Sequence, residues 1–359
     1  MEPDTGTGGA DGLRVLLVAP PLLPVPPPEY AGTERVIAAI GDELHRRGHT
    51  VALVASGDSV VPYEHIRSVE RSLWSTGFLG DAASYMQHTA EIAWREAGRF
   101  DIVHAHLEHH GFALGRHCPT PVISTLHGRL DAPGMPELLE SHPEVPLVAI
   151  SESQRRFFPD QHWIATIHHG LPLESMPFSD TPGDYLAFVG RITPEKGIRE
   201  ALDLARRTGV TLRAAAKVLA PAEWSHFEEV VEPAIEGGDI DFLGEVGPDE
   251  RDPLYAGALA TVMLGGWPEP FGLVAIESMA TGTPVIARRA GALTETIEHG
   301  VTGFLVDDVG EAVLAMERIR DLDRRQIREL TLARFSPAKM VDAYEDAYRR
   351  VLAERAAAG

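Results

Sequence analysis

Two doubly wound α/β domains are the fold class this sequence predicts, and three observations predict it. Short apolar runs alternate with helical patterns along nearly the whole chain, as parallel strands covered on both faces by crossover helices require. At 359 residues the chain exceeds the length over which one hydrophobic core keeps growing, about 250–300 residues. From Leu171 to Gly183 the segment LPLESMPFSDTPG breaks every period with Pro, Ser, Asp and Gly, as an interdomain linker does. The domains are read as 13–176 and 177–339, facing each other across a cleft. A flexible Gly-rich tail, 1–12, precedes them, and a helix at 340–359 packs back on the first.

In the first domain Arg14–Ala19 is the leading strand. A Pro-rich loop follows, then a helix from Thr33 to Arg47 that Thr33 caps and Gly48 ends. His49–Ala55, Asp101–His106, Pro121–Leu126 and Pro146–Ile150 are further buried strands. In the second domain the strands are Tyr185–Val189, Thr211–Ala216, Ile240–Leu243, Ala260–Leu264, Pro284–Ala287 and Gly303–Val306. Pro194 and Pro248 stand where a first helical turn accepts proline. A last helix runs from Pro337 to about Arg355, and no solenoid period appears.

Composition excludes several classes. Apolar residues at 44% and charged residues at 24% form an ordinary globular mixture, neither disordered nor fibrous. A formal net charge of −21, spread over both halves, repels a phosphate backbone, so no nucleic-acid partner is expected. The single cysteine, Cys118, excludes an intramolecular disulfide, fits a reducing compartment and reads as structural. No basic n-region precedes an apolar core at the N-terminus, and prolines interrupt LRVLLVAPPLLPVPPP well before the ~20 residues of a membrane span. The chain reads as soluble and cytoplasmic.

Doubly wound domains bind ligands at the carboxyl ends of their strands, so the chemistry is sought there. The glycines of TGTGGADG precede the first strand and cannot form a dinucleotide fingerprint, and no GxxxxGK[ST] occurs. The loop after the first strand ends in EYAGTERV, where Gly32 permits close approach of a ligand. In VGRITPEKG, Arg191 and Lys196 flank a turn into a helix. With 29 Arg and only three Lys in the chain, at 196, 217 and 339, Lys196 is a rare choice. An ammonium suits a phosphate oxygen as a point charge, and a guanidinium offers a planar fork. In GGWPEPFGLVAIESMATGTPVIA, Pro270 favours a helix beginning near Phe271, whose first N–H groups, from Phe271, Gly272, Leu273 and Val274, make an anion site. Glu269 precedes that helix and Glu277, eight residues on, lies inside it. Such a pair suggests a sugar or ribose ligand.

These segments resemble the retaining glycosyltransferases of family four over nearly the whole chain. VGRITPEKG and EPFGLVAIE carry the resemblance, with ATGTPVIA, GALTETIEHGVTGFLV and EYAGTERV in the family's order. The resemblance implies the GT-B fold of two facing Rossmann-like domains and a nucleotide-diphosphate sugar bound mainly by the second. It places Arg191 and Lys196 on the diphosphate, Glu269 on donor-sugar hydroxyls and Glu277 on the ribose. It also places His127 of STLHG by the donor sugar, and Glu245 and Val246 of FLGEV at the base. Two positions depart from the family pattern: Ala31-Gly32, where relatives often have two glycines, and His169-Gly170, where they often have Asn-Gly. A methyl at Ala31 limits backbone approach if that residue needs a positive φ.

Other signals carry less. HAHLEHH holds His104, His106, His109 and His110, but without a nearby cysteine or helical metal spacing they read as satisfied strand-end histidines. Asp239 and Asp241 form an Asp-x-Asp read as turn and cap, since a helix dipole and two cations already supply the charge a metal would bring. The leading function is metal-independent transfer of a sugar from a nucleotide donor to a soluble or small-molecule acceptor, with retention at the anomeric carbon and without a cofactor. The alternatives are a sugar-nucleotide epimerase and a non-catalytic sugar-nucleotide-binding protein.

Overall fold

The computed structural model describes residues 12–28, 31–78 and 80–358. The expected tail therefore lies, except for Gly12, outside the described residues, as do Glu29 and Tyr30 of EYAGTERV. The chain divides into two compact units, Met1–Leu171 with Pro337–Gly359, and Pro172–Ser336.

The first unit is built on seven strands: β1 (Arg14–Val18), β2 (Thr50–Ala55), β3 (Glu64–Arg67), β4 (Ile102–Ala105), β5 (Val122–Thr125), β6 (Leu147–Ala149) and β7 (Trp163–Thr166). All pair in parallel, in the order β3-β2-β1-β4-β5-β6-β7. Val15, Leu16 and Leu17 are completely enclosed because helices cover both faces of the central strands. The winding reverses between β1 and β4, which makes the loops leaving those two strands the edge where a ligand crevice forms.

The sequence reading has no strand at β3 or β7. Each is a four-residue strand at an edge of the sheet. An edge needs little apolar patterning, and EHIR contributes one aliphatic side chain. The helix Thr33–Arg46 buries Val36, Ile37, Ile40 and Leu44 at three- and four-residue spacing. Its cap is Gly32, with no side-chain bond, so Thr33 is the first helical residue and not the cap. Glu108 is the one non-glycine at positive φ among the described residues. Ala31 therefore does not meet the restriction its methyl would impose.

The last helix, Pro337–Ala358, belongs to this unit. It buries Val341, Tyr344, Tyr348 and Val351. Tyr348 Oη lies 2.8 Å from His104 Nδ1, and Tyr344 Oη lies 3.1 Å from Thr125 Oγ1.

The second unit has six parallel strands, β8 (Tyr185–Arg191), β9 (Thr211–Lys217), β10 (Ile240–Gly244), β11 (Ala260–Met263), β12 (Val285–Arg288) and β13 (Gly303–Val306). Their order is β10-β9-β8-β11-β12-β13. Leu186, Phe188, Leu212, Val262, Ile286 and Phe304 pack with Ile198 and Leu202 of the helix Ile198–Thr208 in one core. Here the winding reverses between β8 and β11. β8 extends past Val189 to Arg191, which brings that arginine onto the strand end itself. Among the described residues no helix is long and apolar enough to cross a membrane.

Candidate active site

In the second unit the loops leaving β8 and β11 run side by side at the switch point. After β8, Pro194 opens a single 3-10 turn, Pro194–Lys196. The loop after β11 lies directly on it, because a Cβ at Gly265 would overlap the Glu195 carbonyl. This backbone contact aligns three side chains. Lys196 Nζ donates to Glu269 Oε2 at 2.8 Å, and Trp267 Nε1 donates to the same oxygen at 3.0 Å. The Lys196 ammonium also lies 5.4 Å from the Trp267 ring centroid. The Glu269 carbonyl accepts the Ala292 N–H at 2.8 Å, which ties the loop to the segment following β12.

Arg191 is held on one side. Its Nε donates to Glu223 Oε1 at 3.0 Å and its Nη2 reaches the same oxygen, while Leu219 N–H donates to Oε2 at 2.7 Å. Burial pushes the Glu223 carboxyl up, and the donors of Arg191 and Leu219 more than reverse that, leaving it below the usual range. Each expected diphosphate cation thus has its own carboxylate partner, Glu223 for Arg191 and Glu269 for Lys196.

That helix, Leu273–Ala280, begins two residues later than the sequence suggests. Gly272, at φ 93°, turns the chain into it, and Ala275 N–H bonds the Gly272 carbonyl at 3.0 Å. Phe271 precedes the helix and is a core residue, packed edge-on against Phe335 at 5.9 Å. Leu273 and Val274 carry the first helical N–H groups, which lack acceptors within the helix.

Glu277 lies inside the helix and is fully enclosed. Its Oε2 accepts from Tyr255 Oη at 3.2 Å, and Arg251 Nη1 lies 3.9 Å from Oε1. Helical side chains lean toward the N-terminus, so this carboxylate sits alongside the first turn. Glu245 follows the end of β10 and pairs with Lys217, the last residue of β9, which stands opposite Arg191 in the β8–β9 register. Val246 packs with Ala187, Ala215 and Leu254.

In the first unit the residues after β4 and β5 form a histidine cluster. His106 Nδ1 and His127 Nε2 lie 2.9 Å apart, and His169 stacks on His127 at 5.2 Å between centroids. His104 Nε2 lies 2.7 Å from Thr125 Oγ1. With its Tyr348 contact, both His104 ring nitrogens are satisfied, as expected of a strand-end histidine. His106 departs from that expectation, because its enclosed Nε2 lacks a partner, as does His127 Nδ1. Burial drives His104 and His127 down to about 3, and His106 and His169 well below the usual imidazole value. Glu108, at φ 50°, accepts the N–H groups of His127 and Gly128 at 2.9 and 3.0 Å. Burial raises its carboxyl to about 7 against the pull of those donors. Gly32 opens the helix after β1, across the switch point from His106 and Glu108.

Asp239 stands in the expected turn, its N–H closing the preceding helix on the Ala234 carbonyl at 2.9 Å after the left-handed Gly238, while the side chains of Asp239 and Asp241 are taken up in ion pairs. They pair with Arg206 at 2.7 Å and Arg213 at 3.2 Å. Among the described residues no group of three or more His, Cys, Asp or Glu is placed to hold a metal ion. The sequence alone points to no role for Trp267, Lys217, Glu223, Arg251, Tyr255 or Glu108. The rarity of lysine was a usable signal for Lys217, whereas nothing in HAHLEHH marks the Glu108 backbone as left-handed.

Two doubly wound units with these groups at their switch points define a GT-B glycosyltransferase. Residues 30–174 match the description "Glycosyltransferase Family 4" and residues 177–331 match "Glycosyl transferases group 1". The chain belongs to glycosyltransferase family 4. It is 28% identical over 357 residues to a D-inositol 3-phosphate glycosyltransferase of Frankia alni, covering 84% of this chain and 83% of the relative. Among solved structures, AviGT4, a glycosyltransferase of avilamycin A biosynthesis, aligns with a TM-score of 0.69 at 24% identity, covering 95% of this chain and 98% of the other. Anabaena HepE, solved with UDP and glucose, aligns with a TM-score of 0.72 at 17% identity, covering 93% and 98%.

Proposed function

We propose that this glycosyltransferase moves a sugar from a nucleoside-diphosphate sugar to a small polar acceptor, with retention at the anomeric carbon and without a metal. The observation that carries the reading is the convergence of Lys196, Trp267, Glu269 and the start of the helix Leu273–Ala280 at the β8–β11 switch point. The diphosphate sits at the helix start, on the N–H groups of Leu273 and Val274. Lys196 keeps two ammonium N–H groups beyond the one given to Glu269, and Arg191 keeps Nη1, for phosphate oxygens. Glu269 receives donor-sugar hydroxyls and Glu245 with Val246 the base, while Glu277, the residue expected at the ribose, is enclosed against Tyr255 and Arg251 and backs that end of the site.

As the glycosidic bond breaks, negative charge grows on the diphosphate. Fixed donors then stabilise the transition state more than the ground state. The ion pairs of Asp239 and Asp241 with arginines support metal independence. A relative that acts on D-inositol 3-phosphate supports a small polar acceptor, and a charge of −21 disfavours an anionic membrane surface. The lone cysteine supports a cytoplasmic, reducing setting.

The test is incubation with a panel of sugar nucleotides and acceptors, following nucleoside-diphosphate release and the anomeric configuration of the product. Release with a retained product is expected, unaffected by EDTA, and Lys196→Ala should lower kcat roughly 10²-fold. An epimerised donor, a bound but unchanged donor, an inverted product or loss of turnover on chelation would each defeat the corresponding part of the reading.

A further inference from the structure

Both hydrogen bonds to the Glu269 carboxylate fall on one oxygen. Lys196 Nζ and Trp267 Nε1 converge on Oε2, at 2.8 and 3.0 Å, while Oε1 accepts no hydrogen bond among the described residues. The side chain keeps 18% of its surface exposed, as a contact with a ligand requires. A carboxylate held by a single ammonium can rotate and exchange its two oxygens. A second donor of fixed direction on the same oxygen removes that freedom. Trp267 is placed to supply it: its N–H addresses Glu269, its ring lies beside the ammonium that shares the bond, and the Ala292 N–H fixes the loop backbone at Glu269.

We propose that Trp267 is a positioning residue for donor-sugar recognition, holding Glu269 by Oε2 so that Oε1 is the acceptor offered to one sugar hydroxyl. This rests on the reading of Glu269 as a donor-sugar contact. Phenylalanine would keep the ring face over Lys196 but not the N–H. The carboxylate would then be less well oriented, and the enzyme would distinguish less well between donors that possess and lack the hydroxyl. Nucleoside-diphosphate binding, which does not use Oε1, would be unchanged.

The test compares wild type, Trp267→Phe, Glu269→Gln and the double variant. Each is assayed with the parent donor and with donors lacking one sugar hydroxyl at a time, and nucleoside-diphosphate affinity is measured separately. Trp267→Phe should lower kcat roughly 10-fold with the parent donor, the scale of one hydrogen bond to a charged group, with nucleoside-diphosphate affinity within about 2-fold. With the donor whose deletion is non-additive with Glu269→Gln, Trp267→Phe should add little further loss.

An equal loss with every donor would mean a merely structural role and overturn the proposal, as would wild-type behaviour of Trp267→Phe while Glu269→Gln remains donor-selective. If Glu269→Gln itself shows no hydroxyl dependence, the donor-sugar reading of Glu269 falls and takes the proposal with it. Benzothienylalanine at 267, which exchanges the N–H for sulfur and keeps the ring shape, should reproduce the Phe result if phenylalanine disturbs the loop.

Discussion

At the scale of single residues, the first unit carries four imidazoles withdrawn from water, and their linkage to folding has a definite sign. His104 and His127 titrate near 3, and His106 and His169 well below 6.5, because burial opposes their charged forms. In the unfolded chain each takes up a proton near 6.5. As pH falls below that value the unfolded state binds protons that the folded unit refuses, and stability drops by up to ~1.4 kcal/mol per pH unit for each histidine. Glu34 and Glu108, raised to about 7 by burial, act oppositely: their stabilisation is present below about 4.5 and lost as pH rises through 7. Four histidines outweigh two carboxyls, so stability should rise from pH 4.5 to 6.5. Urea midpoints of the first unit's transition should therefore fall between pH 6.5 and 5, and His104→Asn should flatten the dependence by one proton. Equal midpoints at both pH values would refute this. None of it is legible in HAHLEHH, where a buried histidine and a solvated one look alike. Lys196 and Glu269 stood out in the sequence by rarity and by motif, but their mutual hydrogen bond joins loops 73 residues apart, and no spacing rule reports it.

At the scale of elements, the contact between the β8 and β11 loops decides whether the donor site forms. Gly265→Ala would drive a methyl into the Glu195 carbonyl, which cannot swing aside as a side-chain end can. Separating the loops should cost about 1–3 kcal/mol and pull Lys196 away from Glu269 and Trp267. Weaker nucleoside-diphosphate binding, with Tm lowered by a few degrees, is the expected result of calorimetry and thermal melts. Unchanged affinity would show that the loops do not need this close approach. Central strands were legible because parallel strands covered on both faces must be apolar throughout, and Gly303–Val306 has the bounds read from sequence. Edge strand β3 escaped the same reading, having only one neighbour and little apolar demand, and β7, although it buries Trp163 and Ile164, is only four residues long. Pro270 is a normal first-turn residue, so the sequence places the start of the helix Leu273–Ala280 two residues early. The left-handed turn at Gly272 delays the helix, and glycine in a sequence does not announce its φ.

At the scale of the molecule, the chain passes from the first unit to the second at Leu171/Pro172 and back at Ser336/Pro337. The second unit is continuous and owns its six-stranded sheet outright, so Pro172–Ser336 expressed alone should melt cooperatively. The segment Met1–Leu171 should not, because Tyr344 and Tyr348 complete the polar contacts of His104 and Thr125 from the last helix. A peptide of residues 337–359 added in trans should restore its transition, and a cooperative melt of Met1–Leu171 without it would contradict the argument. The same discontinuity sets an order of events during synthesis. At roughly 5–20 residues per second, the ribosome needs on the order of 10–40 s after finishing Leu171 to deliver the helix Pro337–Ala358. During that interval the part of the protein made first waits with His104 and Thr125 lacking their tyrosine partners, while the part made later can finish folding.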